Sequence, residues 1–232
     1  MTVSLVLLPG LDGTGKLFGP LLEELPSDIQ PIVVRYPAEP LGYRALKALV
    51  LDLLPSDKPF VLLAESFSGP VAVLTAAEKP PGLLGLVLCG SFVVSPHRWI
   101  GSARFLLELV PIRFAARTVG ARVLIGRFEV PGLAQLMSDA LAQVPSRVLR
   151  ARLRAALRVD VRAELSAIEV PSLYLQASED RIVPKTAAEA FARSAQRGKV
   201  QVVAAPHFLL QCAPSNAARS IQEFIRAHRG AA

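Results

Sequence analysis

A serine, an acid and a histidine, the three side chains that together turn a hydroxyl into a nucleophile, each follow a different apolar run in this sequence. The run Phe60 to Ala64 leads into Ala64-Glu65-Ser66-Phe67-Ser68-Gly69-Pro70 and then into the helix-like stretch Val71 to Glu78. A strand, a small-x-Ser-x-small turn and a helix are the context in which a sharp bend lifts a serine hydroxyl clear of a sheet. Ala64 and Ser68 satisfy the need for small residues two places before and after Ser66, although neither is the usual glycine. Asp180 follows the run Ser172 to Ala177, with Glu179 its nearest competitor, and His207 follows Val200 to Ala204. Taken singly, each has a blander use, since serines and aspartates after strands commonly cap helices. Of the other two histidines, His97 opens the insertion at residues 97–166, where a loop role is expected, and His228 lies on a terminal basic helix, where solvation is expected.

The chemistry such a set performs is acyl transfer. Serine is a weak nucleophile at its own pKa and needs a base to take its proton, and the acid fixes and stabilises the imidazole. A second requirement is a pair of backbone N–H groups for the developing oxyanion. The first apolar run ends in Leu8-Pro9-Gly10-Leu11-Asp12-Gly13-Thr14-Gly15. A glycine-rich loop there supplies one donor, from Leu11, while the residue after the serine, Phe67, supplies the other. The rival phosphate-loop reading fails, because neither G-x-G-x-x-G nor G-x-x-x-x-G-K-[ST] is present.

These residues need a frame that brings them to one edge. Six apolar runs of strand length recur, Val3 to Leu8, Pro31 to Tyr36, Phe60 to Ala64, Leu84 to Cys89, Ser172 to Ala177 and Val200 to Ala204, with helical patterns between them. Runs nearly continuous in Val, Leu and Ile read as strands buried on both faces, and βαβ alternation reads as a parallel sheet. The sites of such sheets lie at the carboxyl ends of the strands. From His97 to Ser166 the alternation stops and Leu, Ala and Arg dominate with helical spacing. Residues 97–166 are therefore expected to be a helical insertion between core segments 1–96 and 167–232. Within it Leu149, Leu153 and Leu157 form one stripe and Arg150, Arg154 and Arg158 a second.

With its members in the order Ser66, Asp180, His207, the sequence resembles the α/β-hydrolase superfamily, serine esterase type with a helical cap, over essentially its whole length. It departs from the common pattern in having Pro9-Gly10 where His-Gly is frequent, and in lacking two early strands. The Leu8 to Gly15 loop is similar to that of plant-type esterase and acyltransferase relatives. The resemblance implies an α/β fold reduced to about six mostly parallel strands, with helices on both faces and a cap at residues 97–166. It implies cleavage of carboxylic esters through an acyl-enzyme, with no metal and no cofactor. Phe105, Leu106, Leu107, Leu109, Phe114 and Leu136 of the cap are candidates to line an acyl pocket. Aspartate-nucleophile relatives are excluded by Ser66. Acyl transfer or thioester cleavage on an acyl carrier, cofactor-free peroxidase chemistry and a non-catalytic binding role remain alternatives, although the last predicts a broken triad.

At 232 residues, 52% hydrophobic and 19% charged, the chain can bury a large core and is not disordered. Its net charge of +7 is unevenly placed. Residues 97–165 hold twelve arginines against five acids, and the remainder balances. No nucleic-acid partner is expected, because Trp99, Phe105, Phe114 and Phe128 are too spread to form a stacking platform. The expected partner is a small acyl ester, and an insertion both apolar and basic leaves contact with a membrane or an acyl carrier protein open. Nothing in the sequence specifies an oligomeric state. Met1 to Pro9 lack the basic start of a secretory signal, so a cytoplasmic location is expected. Cys89 and Cys212 read as core thiols.

Overall fold

The computed structural model describes residues 2–96, 124–128 and 130–230. Six strands, β1 (Val3–Leu8), β2 (Ile29–Val33), β3 (Phe60–Glu65), β4 (Leu83–Cys89), β5 (Ser172–Ala177) and β6 (Gly198–Val203), form one sheet in the order β2-β1-β3-β4-β5-β6. Every neighbouring pair is parallel, with Leu5 opposite Val61 and Leu62 opposite Leu86. The sheet has the six parallel strands that the resemblance implies.

The apolar runs explain the layering. Val6, Leu8, Leu62, Leu86 and Tyr174 point to one face, where α2 (Tyr43–Leu51), α3 (Gly69–Ala76) and α7 (Thr186–Ser194) cover them. Leu5, Leu7, Val61, Val87 and Leu173 point to the other, under α1 (Gly19–Glu24) and α9 (Pro214–His228). Strands β1 and β3 are buried throughout, as continuous runs predict. The edge strands β2 and β6 are partly exposed, and β2 ends at Val33 rather than at Tyr36. Pro31, which cannot donate to a ladder, sits in β2, where an edge tolerates it. Beyond it the chain turns inward, with Tyr36 N–H donating to Gly13 O at 2.8 Å.

Chain order and strand order diverge at β1. The chain goes outward to β2 and then returns past β1 to β3, so a crevice opens between the carboxyl ends of β1 and β3. The glycine-rich loop leaves the first of these ends and Ser66 leaves the second.

The region between β4 and β5 holds α4 (Leu133–Ala142), α5 (Ser146–Ala156) and α6 (Arg162–Ser166). Its two ends are tied together, since Ser95 N–H donates to Val159 O at 2.8 Å and Val161 N–H to Val93 O at 2.8 Å. Leu165 lies beyond that tie and packs in the core of the sheet rather than with α4 and α5. Among the described residues, no helix is long and apolar enough to cross a membrane.

Candidate active site

Ser66 sits at the bend between β3 and α3 with φ 49°, a left-handed backbone conformation that a non-glycine residue adopts only when its surroundings impose it. The surroundings are visible. Ser91 Oγ donates to Ser66 O at 2.5 Å, and Tyr174 O–H donates to Ser91 O. At Gly69, a Cβ would lie 2.0 Å from Ser91 Oγ, so the tightest fit falls three residues after the serine. Ser68 is more than small: its hydroxyl bonds Tyr36 O–H at 2.7 Å and donates to Pro9 O, joining the bend to the glycine-rich loop.

The three distant residues meet. Ser66 Oγ lies 2.9 Å from His207 Nε2, and His207 Nδ1 lies 2.8 Å from Asp180 Oδ2. The second carboxylate oxygen, Oδ1, accepts the N–H groups of Ile182 and Val183, each at 2.8 Å. Asp180 thus offers one oxygen to the backbone and the other to the histidine. Glu179 points elsewhere, pairing with Arg127 at 2.5 Å on the surface. His228 is half-buried and packs edge-on against Phe224 with ring centres 4.8 Å apart, a correction to the expectation of a solvated side chain. His97 lies outside the described residues.

Ser66 and His207 open onto a cavity of about 390 Å³, shared by Gly10, Leu11 and Phe67. The Phe67 ring packs in the core and stacks on Tyr43 at 4.9 Å. The rest of the lining is mostly apolar, and Leu149, Leu153 and Leu157, the leucine stripe anticipated on α5, all contribute. Leu136 is a correction: it packs into the small cluster with Ile125 and Leu133, and its neighbour Met137 reaches the cavity instead. One residue is about 100° of helix, so the adjacent side chain takes the inward position. Phe105, Leu106, Leu107, Leu109 and Phe114 lie outside the described residues.

Three buried groups at the site escape a motif search. Arg152 of α5 is 1% exposed and binds the glycine-rich loop. Its signal was position, since it lies three and four residues after the buried Leu149 and Val148. Glu65, next to Ser66, is buried in the cavity floor, and Gln211 Nε2 donates to its Oε1 at 2.9 Å and to Leu17 O at 3.1 Å. Burial pushes the Glu65 carboxyl up from 4.5 to about 7, the Gln211 hydrogen bond opposing and Asp12 adding to the rise.

That shift has a measurable sign. A folded-state pKa above the unfolded one means that the stabilising effect of the neutral acid is fully present below pH 4.5 and is lost as the pH rises through 7. The difference is worth ~3 kcal/mol. Glu65→Gln carries no charge to desolvate, so its stability relative to the native protein should climb by that amount between acid and alkaline pH. Urea unfolding at a series of pH values measures it, and a constant gap would mean that Glu65 titrates in the fold as it does in water.

A six-stranded parallel sheet with a serine at the bend after β3, an acid after β5 and a histidine after β6 defines an α/β-hydrolase. The chain belongs to the serine aminopeptidase, S33, family of these hydrolases, whose model matches residues 46–209 and so spans Ser66, Asp180 and His207. Among solved structures it is similar to an esterase from Exiguobacterium antarcticum (TM-score 0.85, 15% identity, covering 97% of this chain and 92% of that one). An enol-lactonase from Burkholderia xenovorans LB400 gives TM-score 0.84 at 15% identity, with the same coverage of 97% and 92%. A bromoperoxidase from Bacillus anthracis gives 0.84 at 14% identity, again covering 97% and 92%. No curated protein matches the chain by sequence.

Proposed function

We propose that the protein is a cytoplasmic carboxylesterase that cleaves small acyl esters through an acyl-enzyme on Ser66. His207 Nε2 takes the proton of Ser66 Oγ as the hydroxyl attacks the ester carbonyl. Asp180 holds the imidazole by Nδ1 and stabilises the imidazolium that forms. The oxyanion of the tetrahedral intermediate accepts hydrogen bonds from the N–H groups of Leu11 and Phe67, near the positive end of α3. The intermediate collapses, His207 returns the proton to the leaving alcohol, and water then attacks the acyl-enzyme by the same route in reverse.

The observation that carries this reading is the unbroken relay of Ser66, His207 and Asp180, at 2.9 and 2.8 Å, opening into an apolar cavity. The cavity suits an uncharged acyl chain, whose burial contributes ~0.8 kcal/mol per methylene. A series of p-nitrophenyl esters from acetate to dodecanoate tests it. Turnover that rises with chain length, together with an acyl group trapped on the Ser66 peptide in acid-quenched samples, is the expected result. Release of p-nitrophenol with no acyl group on that peptide would refute the mechanism.

A further inference from the structure

Arg152 is a fully buried cation whose hydrogen bonds go to backbone carbonyls. Its Nη1 donates to Leu11 O at 2.9 Å and to Asp12 O at 2.8 Å, and its Nη2 donates to Pro37 O at 3.1 Å. The guanidinium also lies 5.6 Å from the centre of the Tyr36 ring. Burying a guanidinium carries a large desolvation penalty, so the contacts that offset it matter. Cation and loop are fitted to one another: a Cβ on Gly13, where φ is +71°, would lie 2.4 Å from Nη1. Only glycine fits there, both for the backbone angle and for the space.

The contacts bracket one peptide. On one side of the Gly10–Leu11 amide, Pro9 O is held by the Ser68 hydroxyl, itself bonded to Tyr36. On the other side, Leu11 O and Asp12 O are held by Arg152. The peptide is also pinned by its own carbonyl, because Gly10 O accepts the Gly13 N–H at 3.1 Å, so turning the Leu11 amide over would break that bond between two clamped neighbours. We infer that Arg152 is a positioning residue of the reaction, delivered from α5 to hold the oxyanion loop so that the Leu11 N–H stays directed at the developing charge. The same helix presents Leu149 and Leu153 to the cavity, so the element that contacts the acyl chain also sets the oxyanion hole. Such a role belongs to the transition state, where preorganised donors act, and leaves ground-state binding nearly untouched.

The inference rests on the serine-esterase reading, and its test separates the two. In the full-length protein, Arg152→Ala is expected to lower kcat on p-nitrophenyl butyrate ~100-fold, the effect of losing one oxyanion donor, with KM changed less than about 3-fold. Affinity for a trifluoromethyl ketone, whose adduct with Ser66 places an oxyanion in the same hole, should fall in parallel with kcat. Arg152→Lys, which keeps the charge and can reach one carbonyl, should recover part of both. A purely structural role would lower the melting temperature and leave kcat and ketone affinity within about 3-fold of native in assays well below it, and that result overturns the inference. Should Arg152→Ala fail to fold, Arg152→Lys decides alone: native kcat and ketone affinity refute positioning, and a joint loss at unchanged KM supports it. Unchanged kcat in the Arg152 variants beside an inactive Ser66→Ala would refute only this inference, whereas an active Ser66→Ala would refute the underlying reading.

Discussion

Ser66→Ala is expected to leave a folded protein whose turnover of a p-nitrophenyl ester is lower by roughly 10⁵- to 10⁶-fold, the loss typical when the nucleophile of such a relay is removed. The hydroxyl contributes one hydrogen bond, to His207, whereas the bend is imposed on the backbone by Ser91 at the Ser66 carbonyl and by the close fit of Gly69. Alanine retains the Cβ and the same left-handed strain, so the fold loses little. The melting temperature should stay within a few degrees while activity disappears, a separation that thermal melts and initial rates read directly. Turnover within tenfold of native would remove Ser66 from the mechanism. The residual rate should respond weakly to further loss of His207, because the members of a relay act as a unit and their effects do not add.

The parts of this site that could be read from the sequence are those whose chemistry shows in residue type. Continuous Val, Leu and Ile runs fix where the central strands lie, and β1 and β5 fall at the anticipated residues, Val3–Leu8 and Ser172–Ala177. Strand β2 shifts because an edge strand buries less, and its apolar content continues into Val34 and Tyr36, which belong to the loop packing beneath Gly13 and Gly15. The sequence favours Asp180 over Glu179 only by its place just past the strand tip and before a Pro-started helix. The structure separates them by what each faces, Arg127 on the surface for one and His207 in the interior for the other.

Arg152 and Glu65 were hidden for opposite reasons. Arg152 is one of twelve arginines between residues 97 and 165, most of which a sequence reader assigns to a solvated face, and only its phase relative to Val148 and Leu149 distinguishes it. Glu65 occupies the variable position before Ser66, where no motif constrains the residue type. Its burial follows from the pleat: Glu65 stands opposite Cys89 in a strand with no exposed residue. Partners such as Gln211, distant in sequence, are matched to it only by the packing of α8 (Leu209–Cys212) under the sheet edge. Motifs thus report the residue types that the chemistry would require, whereas the buried groups packed around them are set by tertiary contact.

Asp180→Asn should cost about as much as removing a reacting group, because the backbone dictates how the amide must sit. Two N–H groups, from Ile182 and Val183, point at Oδ1, each at 2.8 Å. The asparagine oxygen must accept them, since an NH₂ there would face two donors. The NH₂ then occupies the Oδ2 position, 2.8 Å from His207 Nδ1, and donates to that nitrogen. His207 is forced to carry its proton on Nε2, which therefore faces Ser66 Oγ as a donor and cannot accept the hydroxyl proton. The expected fall in kcat at neutral pH is ~10⁴-fold with KM little changed, because the tautomer is wrong while the cavity is intact. Glu179→Gln supplies the control: it breaks only the exposed pair with Arg127, which solvent screens, and should leave kcat within twofold. Initial rates for the two variants, with a histidine proton spectrum to locate the tautomer, check the argument. If Asp180→Asn stayed within tenfold of native, Asp180 would be a capping residue for the turn at Ile182 and Val183, and the relay would end at His207.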